Sequence, residues 1–244
     1  MARPARAMWV WVHEATPPDP AAVAAFAVEQ HVSEAFVSVP WGGPTADTRR
    51  CVTALRAAGV RVSALGGDRS WTTGSDAVAW MQRATAAGLF DGVHLDIEPW
   101  TRRDWPGREL ELLAGLERAV EDVAARTPLP VEVDLAPWLA DTHPAAFAGI
   151  VRRAAAVTLM AYRDRATDIL AGSATARRVL GELRTPYRIA VDTSPVADPR
   201  ETFADDGRAV LERELTAVAA QLAADTRLMG VAIHDVEHWS ALAD

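Results

Sequence analysis

At 244 residues and 26.2 kDa the chain can bury a large core, and 50% hydrophobic and 24% charged residues with a mean hydropathy of +0.00 exclude a largely disordered chain. A net charge of -8 argues against nucleic acid, whose phosphates select concentrated Lys and Arg; every basic residue here is Arg, scattered over helical runs. The lone Cys51 excludes an internal disulfide and lies in an amphipathic helical run with no metal-ligand spacing around it.

The N-terminal run MARPARAMWVWVHEA has too few apolar residues before His13 for a signal-peptide core or a membrane span, so a cytoplasmic protein with no membrane partner is expected. From there short β-rich segments alternate with helical ones. Strands are predicted over Met8–His13, Ala35–Pro40, Val60–Leu65, Gly92–Glu98, Val131–Ala136, Val157–Tyr162, Arg188–Thr193 and Gly230–His234. Helices are predicted between them over Pro20–His31, Ala46–Ala58, Ser75–Ala87, Glu109–Ala125, Pro144–Ala154, Thr167–Leu183 and Arg208–Asp225. Repeated βα units of this kind build a parallel sheet, and eight of them predict a single (β/α)8 TIM barrel over residues 1–244, an α/β fold whose eighth helix is short or missing. No Gly-rich phosphate loop follows the first strand, which counts against a dinucleotide fold, and no cofactor is expected; Gly66 and Gly67 read as a turn.

In such a barrel the chemistry belongs at the C-terminal ends of the strands. The segment DGVHLDIEPW, Asp91–Trp100, carries the strongest signal. Alternation sends Val93, Leu95 and Ile97 to one face and His94, Asp96 and Glu98 to the other, and three inward ionisable groups are costly without partners or a task. Strand 5 directs Glu132 and Asp134 inward in the same way, and His13, Tyr162, Asp164, Asp192, His234 and Asp235 close other strands.

Tryptophan supplies a second clue. Trp41, Trp71, Trp100, Trp138 and Trp239 each follow a predicted strand, so five of the nine are expected around one rim. Flat amphipathic rings beside carboxylates suit a sugar, with its apolar faces and its hydroxyls. Trp9, Trp11 and Trp80 fall inside predicted elements and read as core.

Asp91–Glu98 resembles the strand-4 signature DxxDxDxE of the family 18 glycoside hydrolases, the chitinase-like barrels, with His94 standing where the middle Asp would be. SALGG at Ser63–Gly67 is similar to that family's strand-3 SxGG, and LMAYRD at Leu159–Asp164 to its strand-6 MxYD, where Arg163 replaces the Asp; the closing GVAIHDVEHW is similar to a last strand ending in a Trp floor. The resemblance implies a retaining glycosidase in which Glu98 is the general acid, Asp96 orients the substrate's acetamido group and raises the acid's pKa, and Tyr162 bonds the acetamido carbonyl. Candidate substrate contacts are then His94, Met160, Asp134, His13 and His234 with the five rim tryptophans, and the partner is an oligosaccharide or small molecule.

Two alternatives stand beside this one. The barrel could bind carbohydrate without cleaving it, or His94, Asp96 and Glu98 could serve a metal-dependent enzyme. Nothing in the sequence signals an oligomeric state.

Overall fold

The computed structural model describes residues 4–244; residues 1–3, which open the N-terminal run weighed above, lie outside the described residues. Eight parallel strands close into a barrel in sequence order: β1 Arg6–Val10, β2 Val32–Ser38, β3 Arg61–Gly66, β4 Gly92–Leu95, β5 Val131–Leu135, β6 Ala156–Met160, β7 Tyr187–Asp192 and β8 Leu228–His234. Between and after them run α1 Pro20–Glu29, α2 Ala46–Ala57, α3 Asp76–Thr85, α4 Glu109–Ala124, α5 Leu139–Thr142, α6 Pro144–Val151, α7 Ala166–Gly172, α8 Ala174–Leu183, α9 Arg208–Gln221 and α10 Val236–Ala241. This is the expected (β/α)8 architecture, and α10 is the short eighth helix.

The departures have physical causes. The run predicted as one helix over Thr167–Leu183 is two, because the Ser173 hydroxyl donates to Ile169 O at 2.7 Å and Gly172 precedes it at the break. β1 and β2 begin earlier than predicted because a buried charged residue lies near the start of each, at the first position of β1 and at the third position of β2. Arg6 is clamped by Glu212 at 2.8 and 2.6 Å, and Glu34 is held by Arg188. Gly66 and Gly67 are no turn. A Cβ on Gly66 would meet the Trp80 ring at 2.2 Å and one on Gly67 the Asp96 carbonyl at 1.7 Å, so the pair lets the end of β3 lie against α3 and against the chain leaving β4.

Alternation sorts the strand side chains into two cores. Val93, Leu95 and Ile97, with their equivalents on other strands, fill the layer between barrel and helices. Inside the barrel a smaller apolar cluster of Ala7, Trp9, Phe36, Leu65, Ala190 and Ala232 forms the middle level. Beneath it lies a polar level. Arg188 donates from Nη1 to Glu132 Oε2 at 2.6 Å and from Nη2 to Glu34, whose Oε1 accepts from the Ser63 hydroxyl at 3.1 Å and from Arg61 at 3.3 Å.

Burial opposes the charge on Glu132, but His94 and Arg188 overcome it and hold the carboxyl at about 2. A carboxyl depressed in the fold stabilises it fully above the ordinary 4.5 and loses that contribution as pH falls toward 2. Arg188→Met strands two buried carboxylates, and we expect a loss of about 3–5 kcal/mol in urea unfolding at neutral pH that shrinks on acidification. Unchanged neutral stability would show that the cluster contributes nothing.

Candidate active site

β4 carries the site upward in steps of two residues. The lowest, His94, is 0% exposed; its ring stacks on Phe36 with centroids 3.7 Å apart and meets Trp9 edge-on at 5.9 Å. Its Nε2 lies 2.8 Å from Asp134 Oδ1 and its Nδ1 3.7 Å from Glu132 Oε2. Burial disfavours the imidazolium, yet these two carboxylates push His94 up to about 9, so it donates to Asp134 at neutral pH. Neither His94 nor the equally buried Asp134 can touch a substrate, which corrects their placement among the substrate contacts: both belong to the sealed floor.

One level higher, Asp96 bonds through its backbone N–H to Gly66 O at 3.0 Å. The register Leu95 to Val133 sets Asp96 beside Asp134, and Asp96 Oδ1 and Asp134 Oδ2 are both buried without a hydrogen-bond partner. Burial, with the charges of Asp134 and Glu98, drives the Asp96 carboxyl well above the usual range. Glu98 is raised too, first by burial and then by Asp134, while the Trp100 indole, donating to Oε2 at 3.0 Å, works the other way. Burial and their mutual repulsion disfavour charging both carboxyls, so the pair keeps a proton more readily than isolated carboxylates would.

Glu98 opens on a cleft of about 300 Å³ walled by Trp100, Trp138, Met160 and Tyr162. Trp100 and Trp138 meet edge-on at 6.3 Å, and Trp138 is 39% exposed. Burial and the surrounding carboxylates raise the Tyr162 phenol well above its ordinary value, so it stays a donor. Arg163 lines the cleft without filling it, its Nη1 held at the wall by Tyr162 O at 2.7 Å and Glu201 at 2.9 Å. Across the mouth a second cleft of about 380 Å³ holds Trp41, 46% exposed and backed by the Arg83 guanidinium at 4.6 Å, with Trp71 behind it.

Two further candidates lie elsewhere. Trp239 is 0% exposed, packed on Phe26 with centroids 5.0 Å apart and under Arg6; α10 starts directly after β8, and its Val236 and Trp239, three residues apart, face inward. β1 ends at Val10, so His13 lies beyond the rim in a separate side cavity with Asp19 and Phe26. His234 does reach the mouth, with Nδ1 3.0 Å from Asp192 and Nε2 accepting from Trp11 Nε1 at 3.2 Å. Trp11, read from alternation as core, does pack against the inner apolar cluster, but it also lines two clefts at the top of the barrel, which alternation alone did not show.

Among the described residues no three His, Cys, Asp or Glu side chains converge to hold a metal. His94, Asp96 and Glu98 stand at successive levels, and the nearer nitrogen of His94 is spent on Asp134, so the metal-dependent alternative finds no donor set here.

No protein-family model matches the chain, and no curated protein does. Solved structures do match. An endo-beta-N-acetylglucosaminidase from Cordyceps militaris is 15% identical with a TM-score of 0.59, over 98% of this chain and 83% of that one. The spore cortex-lytic enzyme SleL of Bacillus megaterium is 12% identical with a TM-score of 0.61, over 98% and 73%. A class V chitinase from Pseudomonas fluorescens is 12% identical with a TM-score of 0.54, over 98% of each chain. Dipeptide epimerases match as well, so these likenesses speak to architecture and not to chemistry. The chain is a closed (β/α)8 barrel similar in fold to chitinase-like proteins, at low sequence identity.

Proposed function

We propose that the protein is a glycosidase acting on an acetamido sugar, with Glu98 as the general acid. The observation that carries this reading is the raised Asp96–Glu98 pair opening directly onto an aromatic-walled cleft. A carboxylic acid that keeps its proton near neutral pH, at the edge of a cleft that fits one sugar unit, suits protonation of a glycosidic oxygen. Trp100 and Trp138 offer faces for a pyranose ring, and Tyr162 offers a hydroxyl donor for an acetamido carbonyl.

Asp96 orients the acetamido nitrogen as that group's oxygen attacks the anomeric carbon, while Glu98 gives its proton to the leaving oxygen. Glu98 then takes a proton back from the water that opens the cyclic intermediate. The substitution of His94 for an acidic residue on β4 does not strip the site of its supporting negative charge. Asp134 supplies it from β5, with His94 as its hydrogen-bond partner beneath. Arg163 leaves the acetamido group one fewer contact than the family pattern provides, and the similar fold of the Cordyceps militaris enzyme supports the sugar class without fixing it.

With N-acetylglucosamine oligosaccharides as probes, Glu98→Gln is expected to lower kcat by about 10²–10⁴-fold while affinity stays near wild type. Affinity without turnover in the wild type would instead make the barrel a carbohydrate-binding protein. Because the acid must be protonated and its pKa is raised, activity is expected to persist above the ordinary glutamate range and to fall as pH rises through that raised value. Trp100→Phe removes a bond that holds the Glu98 carboxyl down, so the alkaline limb of the pH–rate profile moves to higher pH; movement to lower pH contradicts the assignment.

A further inference from the structure

Two cavities meet at one side chain. The cleft under Trp41 and Trp71 and the side cavity of about 340 Å³ that holds His13, Asp19 and Phe26 share a single lining residue, Trp11. Its indole N–H donates to His234 Nε2 at 3.2 Å, and its ring meets the imidazole at 5.9 Å and 72°. On the other side of the imidazole, Nδ1 lies 3.0 Å from Asp192 Oδ1. That oxygen also accepts from the Ser194 backbone N–H at 2.9 Å and hydroxyl at 2.7 Å, which fixes the carboxylate in place.

An indole N–H can only donate. The Trp11 bond therefore exists only while His234 Nε2 carries a lone pair, which together with the Asp192 contact defines the neutral Nδ1–H tautomer. A second proton has one place to go, Nε2, where it sets N–H against N–H. We propose that Trp11 is a movable partition between the two cavities, latched by neutral His234 on Asp192 and released when His234 takes up a second proton.

The surroundings put this change within reach of ordinary pH. The groups facing His234 are Asp192 from β7, Asp134 from β5, Glu98 beyond the end of β4, Tyr162 beyond the end of β6 with rings 6.3 Å apart, Trp9 from β1, Trp11 just after it, and Asp235 next in the chain. Burial works against the imidazolium, but the Asp192 bond and charge, with Asp235 and Asp134 behind them, more than offset it and move His234 above the ordinary 6.5. The Trp11 ring borders both cavities while one edge packs on the inner cluster, so on release its rotation is expected to join the cleft to the side cavity. Latched at high pH and released at low pH, it sets how far a ligand seated on Trp41 can extend.

The test follows the ¹H–¹⁵N signals of the Trp11 indole and the His234 imidazole against pH in the wild-type protein, with Trp11 assigned by its loss in Trp11→Phe. The indole is expected to lose its hydrogen-bonded downfield shift, and to gain broadening by a soluble paramagnetic agent, with the same midpoint as His234. In His234→Gln, whose amide oxygen accepts from the indole at every pH, the Trp11 signal is expected to stay constant. Trp11→Phe removes a bond made only to the neutral form, so the His234 midpoint is expected to rise by up to about one pH unit. An indole signal that stays constant while His234 titrates, one that still moves in His234→Gln, or bond loss without a gain in solvent access would each overturn the proposal.

Discussion

The contact on which the site rests is the buried hydrogen bond between His94 and Asp134 at 2.8 Å. It brings two charged groups into the centre of the barrel, where each alone would be costly, and it leaves one oxygen of Asp134 without a partner beside Asp96. From that arrangement the rest follows. Burial first, and then the negative field of Asp134 reaching upward, raises Asp96, Glu98 and Tyr162. The Glu34–Arg188–Glu132 cluster beneath closes the lower end of the same charge system, so the floor is polar where such barrels usually carry branched apolar side chains.

The division of labour between levels explains how the barrel tolerates this. Trp9, Phe36, Leu65 and the small residues Ala190 and Ala232 pack around the His94 ring and exclude water from it, which strengthens the pair they surround. Above them the side chains become larger, amphipathic and partly exposed, and three of them are tied by directed bonds: Trp100 to Glu98, Trp11 to His234, His234 to Asp192. The Trp100 and Trp11 rings thereby present flat apolar surface with their N–H edges already engaged.

Much of this was legible in the sequence because strand alternation and βα repetition are local signals. The eight units, the outward Val93, Leu95 and Ile97, and the inward His94, Asp96, Glu98, Glu132 and Asp134 all follow from a period of two. Depth along the barrel axis did not. His94 and Glu98 look equivalent by alternation, yet one is sealed and the other opens on a cleft, because the strand's position relative to the mouth is set by its neighbours' register. Trp239 is buried because the short α10 turns it onto Phe26, and Trp11, one residue past the end of β1, both packs on the inner cluster and reaches the clefts. Arg6 and Glu34 concealed the true strand starts, since a charged residue reads as surface until its partner, over 150 residues away in sequence, is known.

The most direct test of the account is a carboxyl ¹³C NMR titration of Asp96 and Glu98 in the free protein, with each resonance assigned by its amide variant. The account predicts that the pair retains a proton well above the ordinary carboxylate range, and that Asp134→Asn lowers the pH at which it is lost. Two carboxyls that both ionise at ordinary values, indifferent to residue 134, would contradict it.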